Sequence, residues 1–288
     1  MKSKYILLAM SLLMCIQFSV IAQELTTEEL LAIAQITDDA INTHNADLVL
    51  PITTDDMVYD YVPLPTPFVG NKAFVGAING FFKSFPDMRV EHIHPPLVSG
   101  NIVVVQHVAT GTHLGEIVSP LGNIPPTGKN IKTFHIDITE FENGKIKKGT
   151  TYDDMASQFM QLGILPAMAL PEFKPSFTLP APEPTNLSPM EAETKAESLW
   201  NAHDLQSYAK LFKADADFMI SSLGIPMNRD EFIASQEMYL AGFPDIKMEV
   251  VRNVDMGDGW ILSEHMSAHK RANLWVFHQQ DEKCHIRV

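Results

Sequence analysis

Asp137 and His135 stand two residues apart in the run Ile131-Lys132-Thr133-Phe134-His135-Ile136-Asp137-Ile138-Thr139. Apolar and polar residues alternate there, as in a strand with one apolar face. Side chains alternate sides along a strand, so Thr133, His135, Asp137 and Thr139 share the other face. A carboxylate beside an imidazole is equipped for general acid/base work, because a closed apolar surrounding can shift the pKa of either group. The preceding run, Ile102 to His113, puts Val103, Val105, His107, Ala109 and His113 on one side. If the two strands lie together, His107, His113, His135 and Asp137 reach one cavity. Asp137, His113 and His135 are the candidate catalytic groups; His107 and Val105 are expected against a bound molecule. The alternative use of the same residue types, with His92 and His94, is a metal, but no spacing among them is diagnostic of one.

Other segments must position these residues. Gly111-Thr112-His113 ends the first strand, and a Gly/Pro loop closing with Pro125-Pro126-Thr127-Gly128-Lys129 leads to the second, about Ile131 to Phe141. Asn143-Gly144 suits a tight hairpin because both residues tolerate positive φ. A return strand from Lys145 and a short helix ending at Gln161-Leu162-Gly163 follow. Upstream, Thr26-x-x-Glu29 reads as a capping box opening a helix with Leu30, Ile33, Ala34, Ala40 and Ile41 at helical spacing. A strand at Met57 to Val62, a helix at Asn71 to Phe85 and a β segment at Arg89 to Val98 come next. On that helix Phe74, Ile78, Phe81, Phe82 and Phe85 share a face. Most of these rings should pack under the sheet; Phe74, Phe82 and Phe85 are the ones expected to border a hollow as substrate contacts. Helices first and a curved antiparallel sheet after make an α+β cone.

Phe85-Pro86-Asp87, Gly111-Thr112-His113, Pro126-Thr127-Gly128-Lys129, Asp137-Ile138, Asn143-Gly144-Lys145-Ile146 and Gln161-Leu162-Gly163, in this order, resemble the SnoaL-like polyketide cyclase (ester cyclase) family of the NTF2-like superfamily. The likeness covers roughly residues 27 to 163. It implies an NTF2-like cone in which Asp137 is the general acid/base: it takes a proton from a carbon next to a carbonyl and returns one to a developing alkoxide. It implies no cofactor, and a small carbonyl or ester compound as substrate, or as ligand if the cone is a non-catalytic binding module. Where the family usually has a His-Trp pair, this chain has Gly149-Thr150. Asp154 aligns with a family Asp but fits the start of the closing helix.

The chain also repeats itself. Phe74, Ile78, Phe82 and Phe85 recur 158 residues on as Phe232, Gln236, Leu240 and Phe243; Phe85-Pro86-Asp87 recurs as Phe243-Pro244-Asp245, and His107 as His265. A fixed offset over this length argues for two copies of one domain. The expected layout is a first cone at 23–163, a Pro-rich extended linker at 164–189 and a shortened second cone at 190–288. After His265 the offset falls to 138, which sets Trp275 against Asp137 and Asn273 against His135. The second copy lacks the acid, and His265, His269, His278 and His285 read as incidental. The copies are expected to pair by their open sheet faces as an intramolecular pseudo-dimer, with a homo-oligomer also open.

Lys2, Lys4, the apolar Tyr5 to Val20 and the small residues ending at Ala22 read as a cleaved export signal, giving a periplasmic or secreted protein with no membrane attachment afterwards. The net charge is −14. Losing Lys2 and Lys4 leaves 19 basic and 35 acidic residues, 19 − 35 = −16. A chain this acidic repels nucleic acid and anionic membrane surfaces. Cys15 and Cys284 are the only cysteines, so removing the signal leaves no intrachain disulfide. The sequence holds no nucleotide-binding glycine fingerprint, P-loop or Gly-x-Ser-x-Gly elbow.

Overall fold

The computed structural model describes residues 25–118, 122–167, 169, 171–220, 225–267, 273–280 and 283–287, with side chains up to Ser267 apart from 220 and 225. The Met1–Ala22 segment and His269 lie outside the described residues.

Helix α1 (Thr27–Asn42) opens the first half on the capping box: the Thr26 hydroxyl accepts from the Glu29 amide, and the Glu29 carboxylate accepts from Thr26. A short 3-10 turn, Ala46–Val49, leads to strand β1 (Thr53–Tyr61) and the two-residue β2 (Phe68–Val69). Helix α2 (Asn71–Ser84) follows. Pro95-Pro96 splits the next β segment into β3 (Arg89–His92) and β4 (Leu97–Ser99), since proline gives no ladder donor. Strands β5 (Ile102–Thr112), β6 (Asn130–Glu142) and β7 (Lys145–Asp153) form the body of the sheet. Helix α3 (Met155–Leu162) closes the half, capped by the Asp154 side chain and by Gly163 in left-handed conformation.

Among the described residues the first sheet has seven strands, ordered β2-β1-β7-β6-β5-β3, with β4 also on β5. It is antiparallel except for the parallel β1–β7 pair. Helices α1 and α2 cover one face through Leu30, Ala34, Phe74, Ile78, Val103 and Val105.

The second half has helices α4 (Pro189–Asn201), α5 (Leu205–Lys210) and α6 (Arg229–Gly242), and strands β8 (Asp217–Ile220), β9 (Ile225–Asn228), β10 (Met248–Gly257), β11 (Trp260–Ser267), β12 (Asn273–Gln280) and β13 (Lys283–Arg287). Its sheet runs β10-β11-β12-β13-β8-β9, again with one parallel pair, β13–β8. The bounds of α6 are those of α2 moved by 158 residues, 71 to 229 and 84 to 242. The His265↔Asn273 and Ser263↔Trp275 pairings repeat His107↔His135 and Val105↔Asp137. Among the described residues no helix is long and apolar enough to cross a membrane.

Both sides of β5 are buried, Val104 as fully as Val103 and Val105. The odd positions face the helices. The even ones meet the second sheet: Val104, Ile136 and Ile138 cluster with Met256 and Leu262. Arg252 stands beside them, bonded to Glu140 (2.9 Å) and Glu264 (2.8 Å), while the Tyr152 hydroxyl donates to Glu264 across the same join. The proline-rich stretch is docked rather than loose. Phe173, Phe177 and Leu179 pack on the second core, and Pro180 accepts from Arg229 Nη2 at 2.7 Å.

Gly115 shows how closely the loop after β5 is laid on α2. A Cβ at this position would stand 1.8 Å from the Lys83 carbonyl oxygen. Gly115→Ala is therefore expected to destabilise by about 1–3 kcal/mol, the range for overpacking. At Gly76 and Gly80, on α2, a Cβ meets nothing within 4 Å, and alanine there should stabilise by about 0.5–1 kcal/mol. Urea unfolding of the single variants reads both signs; an unchanged midpoint for Gly115→Ala would mean that the loop does not lie against Lys83.

Candidate active site

The first half encloses a cavity of about 130 Å³ between α1, α2 and the concave side of its sheet. One of roughly 150 Å³ is enough for a single aromatic ring. Ala34, Met57, Phe74, Ile78, Phe81, Val105 and Ala109 supply apolar walls, and the polar groups gather on β5, β6 and β7. Strand alternation brings them inward: Thr133, His135 and Asp137 from β6, and His107 from β5, lying between Val105 and Ala109.

His107 is the hub. Its Nδ1 lies 2.8 Å from Asp137 Oδ2 and its Nε2 lies 2.9 Å from Asp38 Oδ1. Both ring nitrogens face carboxylates, so both must donate, and the ring is an imidazolium. Asp38 Oδ2 accepts in turn from His92 Nε2 at 2.6 Å. Burial works against a charge on His107. Hydrogen bonds to Asp137 and Asp38, and their negative charges, outweigh it and lift the imidazole to about 10. Burial likewise pushes Asp137 up, but the bond to His107 and that ring's charge overcome it and hold the carboxyl below its ordinary value. In ¹⁵N-resolved NMR, His107 should therefore stay doubly protonated from pH 5 to pH 8. A midpoint near 6.5 would show that the bridge between the two carboxylates is not formed.

Asp137 is 31 % exposed and lines the cavity. Its other oxygen accepts from the Thr151 hydroxyl, which accepts from Tyr59 Oη at 3.0 Å. The Tyr59 ring lies over Gly149, where a Cβ would meet it at 3.3 Å, so the tyrosine takes the space above the Gly149-Thr150 pair. His135 lies beside Asp137, its Nε2 2.7 Å from Thr133 Oγ1 and 3.6 Å from Asp153 Oδ1. The Tyr61 hydroxyl donates to Asp153 Oδ2. Burial raises both phenols well above their usual range, so they are neutral donors. Asp153 Oδ1 is buried with no hydrogen-bond partner within the protein, and Asp153 borders the cavity.

Of the residues expected from sequence, Asp137, His135, His107, Val105 and Phe74 meet at this cavity. His113, Phe82 and Phe85 do not line it. His113 lies just beyond the end of β5, is fully buried and accepts from the Thr127 amide at 3.2 Å, so it braces the Gly/Pro loop. The Phe85 ring packs against His113 and sits in a satellite core with Met88, Ile131 and Leu162. Phe82 stacks on His44, ring centroids 4.9 Å apart. Asp154 caps a helix. The histidine set considered for a metal does not converge, because His94 lies against Trp260 and His113 in the loop. Asp38, His92 and His107 do come within ligand distance of one another, but each donor in that set is already satisfied by another.

Sequence reasoning missed Asp38, Tyr59, Tyr61, Thr151 and Asp153. Asp38 had a legible signal, since Leu30, Ala34, Asp38 and Ile41 follow one helical stripe and a carboxylate inside an apolar stripe needs a partner. Tyr61 and Asp153 come together only because β1 and β7 pair in parallel, which no local pattern reveals. His265 is not incidental. It is buried and 2.9 Å from Glu197, as His107 is from Asp38.

Residues 31–162 match the family model of SnoaL-like polyketide cyclase. A protein from Jannaschia sp. CCS1 described as a SnoaL-like polyketide cyclase superposes over 50 % of this chain and 99 % of its own, at 16 % identity and TM-score 0.44. TsrD from Streptomyces laurentii covers 49 % of this chain and 100 % of its own (20 % identity, TM-score 0.44). An M. tuberculosis LEH-like epoxide hydrolase covers 48 % and 92 % (17 % identity, TM-score 0.38). Curated proteins offer no match.

Proposed function

We propose that residues 31–162, as a SnoaL-like polyketide cyclase domain, carry out general acid/base chemistry without a cofactor on a small carbonyl or ester compound. The observation that carries this is Asp137, a carboxylate held by His107 and Thr151 and lining an apolar cavity. Asp137 takes a proton from carbon next to the substrate carbonyl. Oxygen charge develops in a low-dielectric space bordered by His135, where a donor counts for more than in water. The proton then returns from Asp137 to the product oxygen. His107, fixed between Asp38 and Asp137, positions the base and balances its charge. Substrate identity rests on the cavity: one small ring or short acyl chain fits.

A second reading has its own support. Pairing with His107 lowers the Asp137 pKa, whereas a base works best near the operating pH. A non-catalytic cone that binds a small molecule fits that electrostatics. A thermal-shift and turnover panel of short esters, β-keto esters and methyl ketones separates the readings. Compounds that stabilise the protein and disappear with time support catalysis; compounds that stabilise it and persist support binding. Ala109→Phe, which fills the cavity, should abolish both effects. Hits unaffected by that change would put the site elsewhere.

The Met1–Ala22 segment is proposed as an export signal, on its basic start and apolar run. The coincident bounds of α2 and α6 and the repeated pairings support the reading that the two halves are copies, the second without the acid.

A further inference from the structure

We infer that the second half binds one divalent first-row cation between Glu193, Glu197 and His265. Glu193 and Glu197 are four residues apart on α4 and so share one helical face. His265 comes from β11, beneath that face. Its Nε2 lies 2.9 Å from Glu197 Oε1 and 3.7 Å from Glu193 Oε1. All three donors fall within 4.8 Å of one another. Two ligand atoms each ~2.1 Å from a tetrahedral zinc stand roughly 3.4 Å apart, so the set needs only small side-chain shifts to close on an ion.

The decisive observation is Glu193. Its side chain is 2 % exposed, and neither carboxylate oxygen has a hydrogen-bond partner. A buried carboxylate in that condition is costly unless something compensates it. An ion would serve both carboxylates at once, and its two positive charges match their two negative ones. The surroundings are built to hold Glu197: Asn253 Nδ2 donates to its Oε1 at 2.9 Å, and the Ser263 hydroxyl fixes Asn253 Oδ1 at 2.5 Å. The corresponding first-half trio, Asp38, His92 and His107, leaves no oxygen unserved. Two carboxylates and one imidazole suit Zn²⁺ or Mn²⁺ better than a thiolate-seeking ion, and Mg²⁺ or Ca²⁺ would want more oxygens.

The test uses the full chain, stripped with chelator and dialysed. Titration with Zn²⁺ or Mn²⁺ should give one equivalent bound with proton release. The thermal transition of the second half should rise by about 10–20 °C at a hundredfold excess over Kd. Co²⁺ in place of zinc should give a visible absorption band, a readout that needs no variant. Glu193→Gln, which keeps the shape, should weaken binding at least tenfold, while Asp38→Asn should leave the equivalent in place. Wild-type protein that retains none of these ions and shows no Co²⁺ band overturns the assignment; so does binding that survives Glu193→Gln or is lost in Asp38→Asn.

Discussion

If the first cavity works by the proposed acid/base chemistry, Asp137→Asn should lower turnover of its substrate by about 10²–10⁴-fold, the range for removing a general acid/base, or about 3–5 kcal/mol in the barrier. The amide keeps the size of the carboxylate and can still accept from His107, but it takes up no proton. Ligand affinity should stay within a few-fold, because the apolar walls formed by Phe74, Ile78 and Val105 are untouched. A drop in kcat with KM nearly constant is the expected signature. Turnover within threefold of the parent protein would remove Asp137 from the mechanism.

The larger effect on the folded state should come from His107→Leu. The substitution leaves Asp38 and Asp137 buried without the cation they share, and breaking a buried pair in this way costs about 3–5 kcal/mol. The sign of the pH dependence follows from the direction of each shift. His107 is raised from 6.5 to about 10 on folding, so its contribution is complete below pH 6.5 and fades as pH climbs to about 10. Asp137 is lowered, so its contribution is present above its unfolded pKa and is lost as acid protonates it. The stability gap between parent and variant should thus be widest between about pH 4.5 and 6.5 and shrink on either side. Urea unfolding of the first half at pH 3, 5.5, 7.5 and 10 measures it, and a gap that grows from pH 7.5 to 10 would contradict the doubly bonded imidazolium.

The frame of this site was legible because it rests on local rules. Alternation put His107 and Val105 on one side of β5, and His135 and Asp137 on one side of β6, and register then set His107 opposite His135. Alternation failed one step beyond the strand, at His113, where the Gly/Pro loop takes over and the side chain turns to Thr127. It could not sort the phenylalanines of α2, because a helix carrying aromatic rings over a wide arc presents some to the cavity and others to satellite clusters. Nor could it supply Asp153 or Tyr61, whose meeting depends on a parallel pairing about 90 residues apart in the chain. In the second half the shortened stretch after His265 was readable, but the buried glutamates of α4 were not: Glu193 and Glu197 look like any solvated helix face until β11 is laid beneath them.

The join between the sheets has a consequence for how the molecule responds to concentration. In an assembly of separate subunits, such a surface empties on dilution. Here Val104 and Ile138 meet Leu262 and Met256 within one polypeptide, tied through residues 164–189. The opposing wall is therefore always present at a high effective local concentration, whatever the abundance of the protein. The rigidity of β5 and β6 behind Asp137 should accordingly be the same at nanomolar as at millimolar protein.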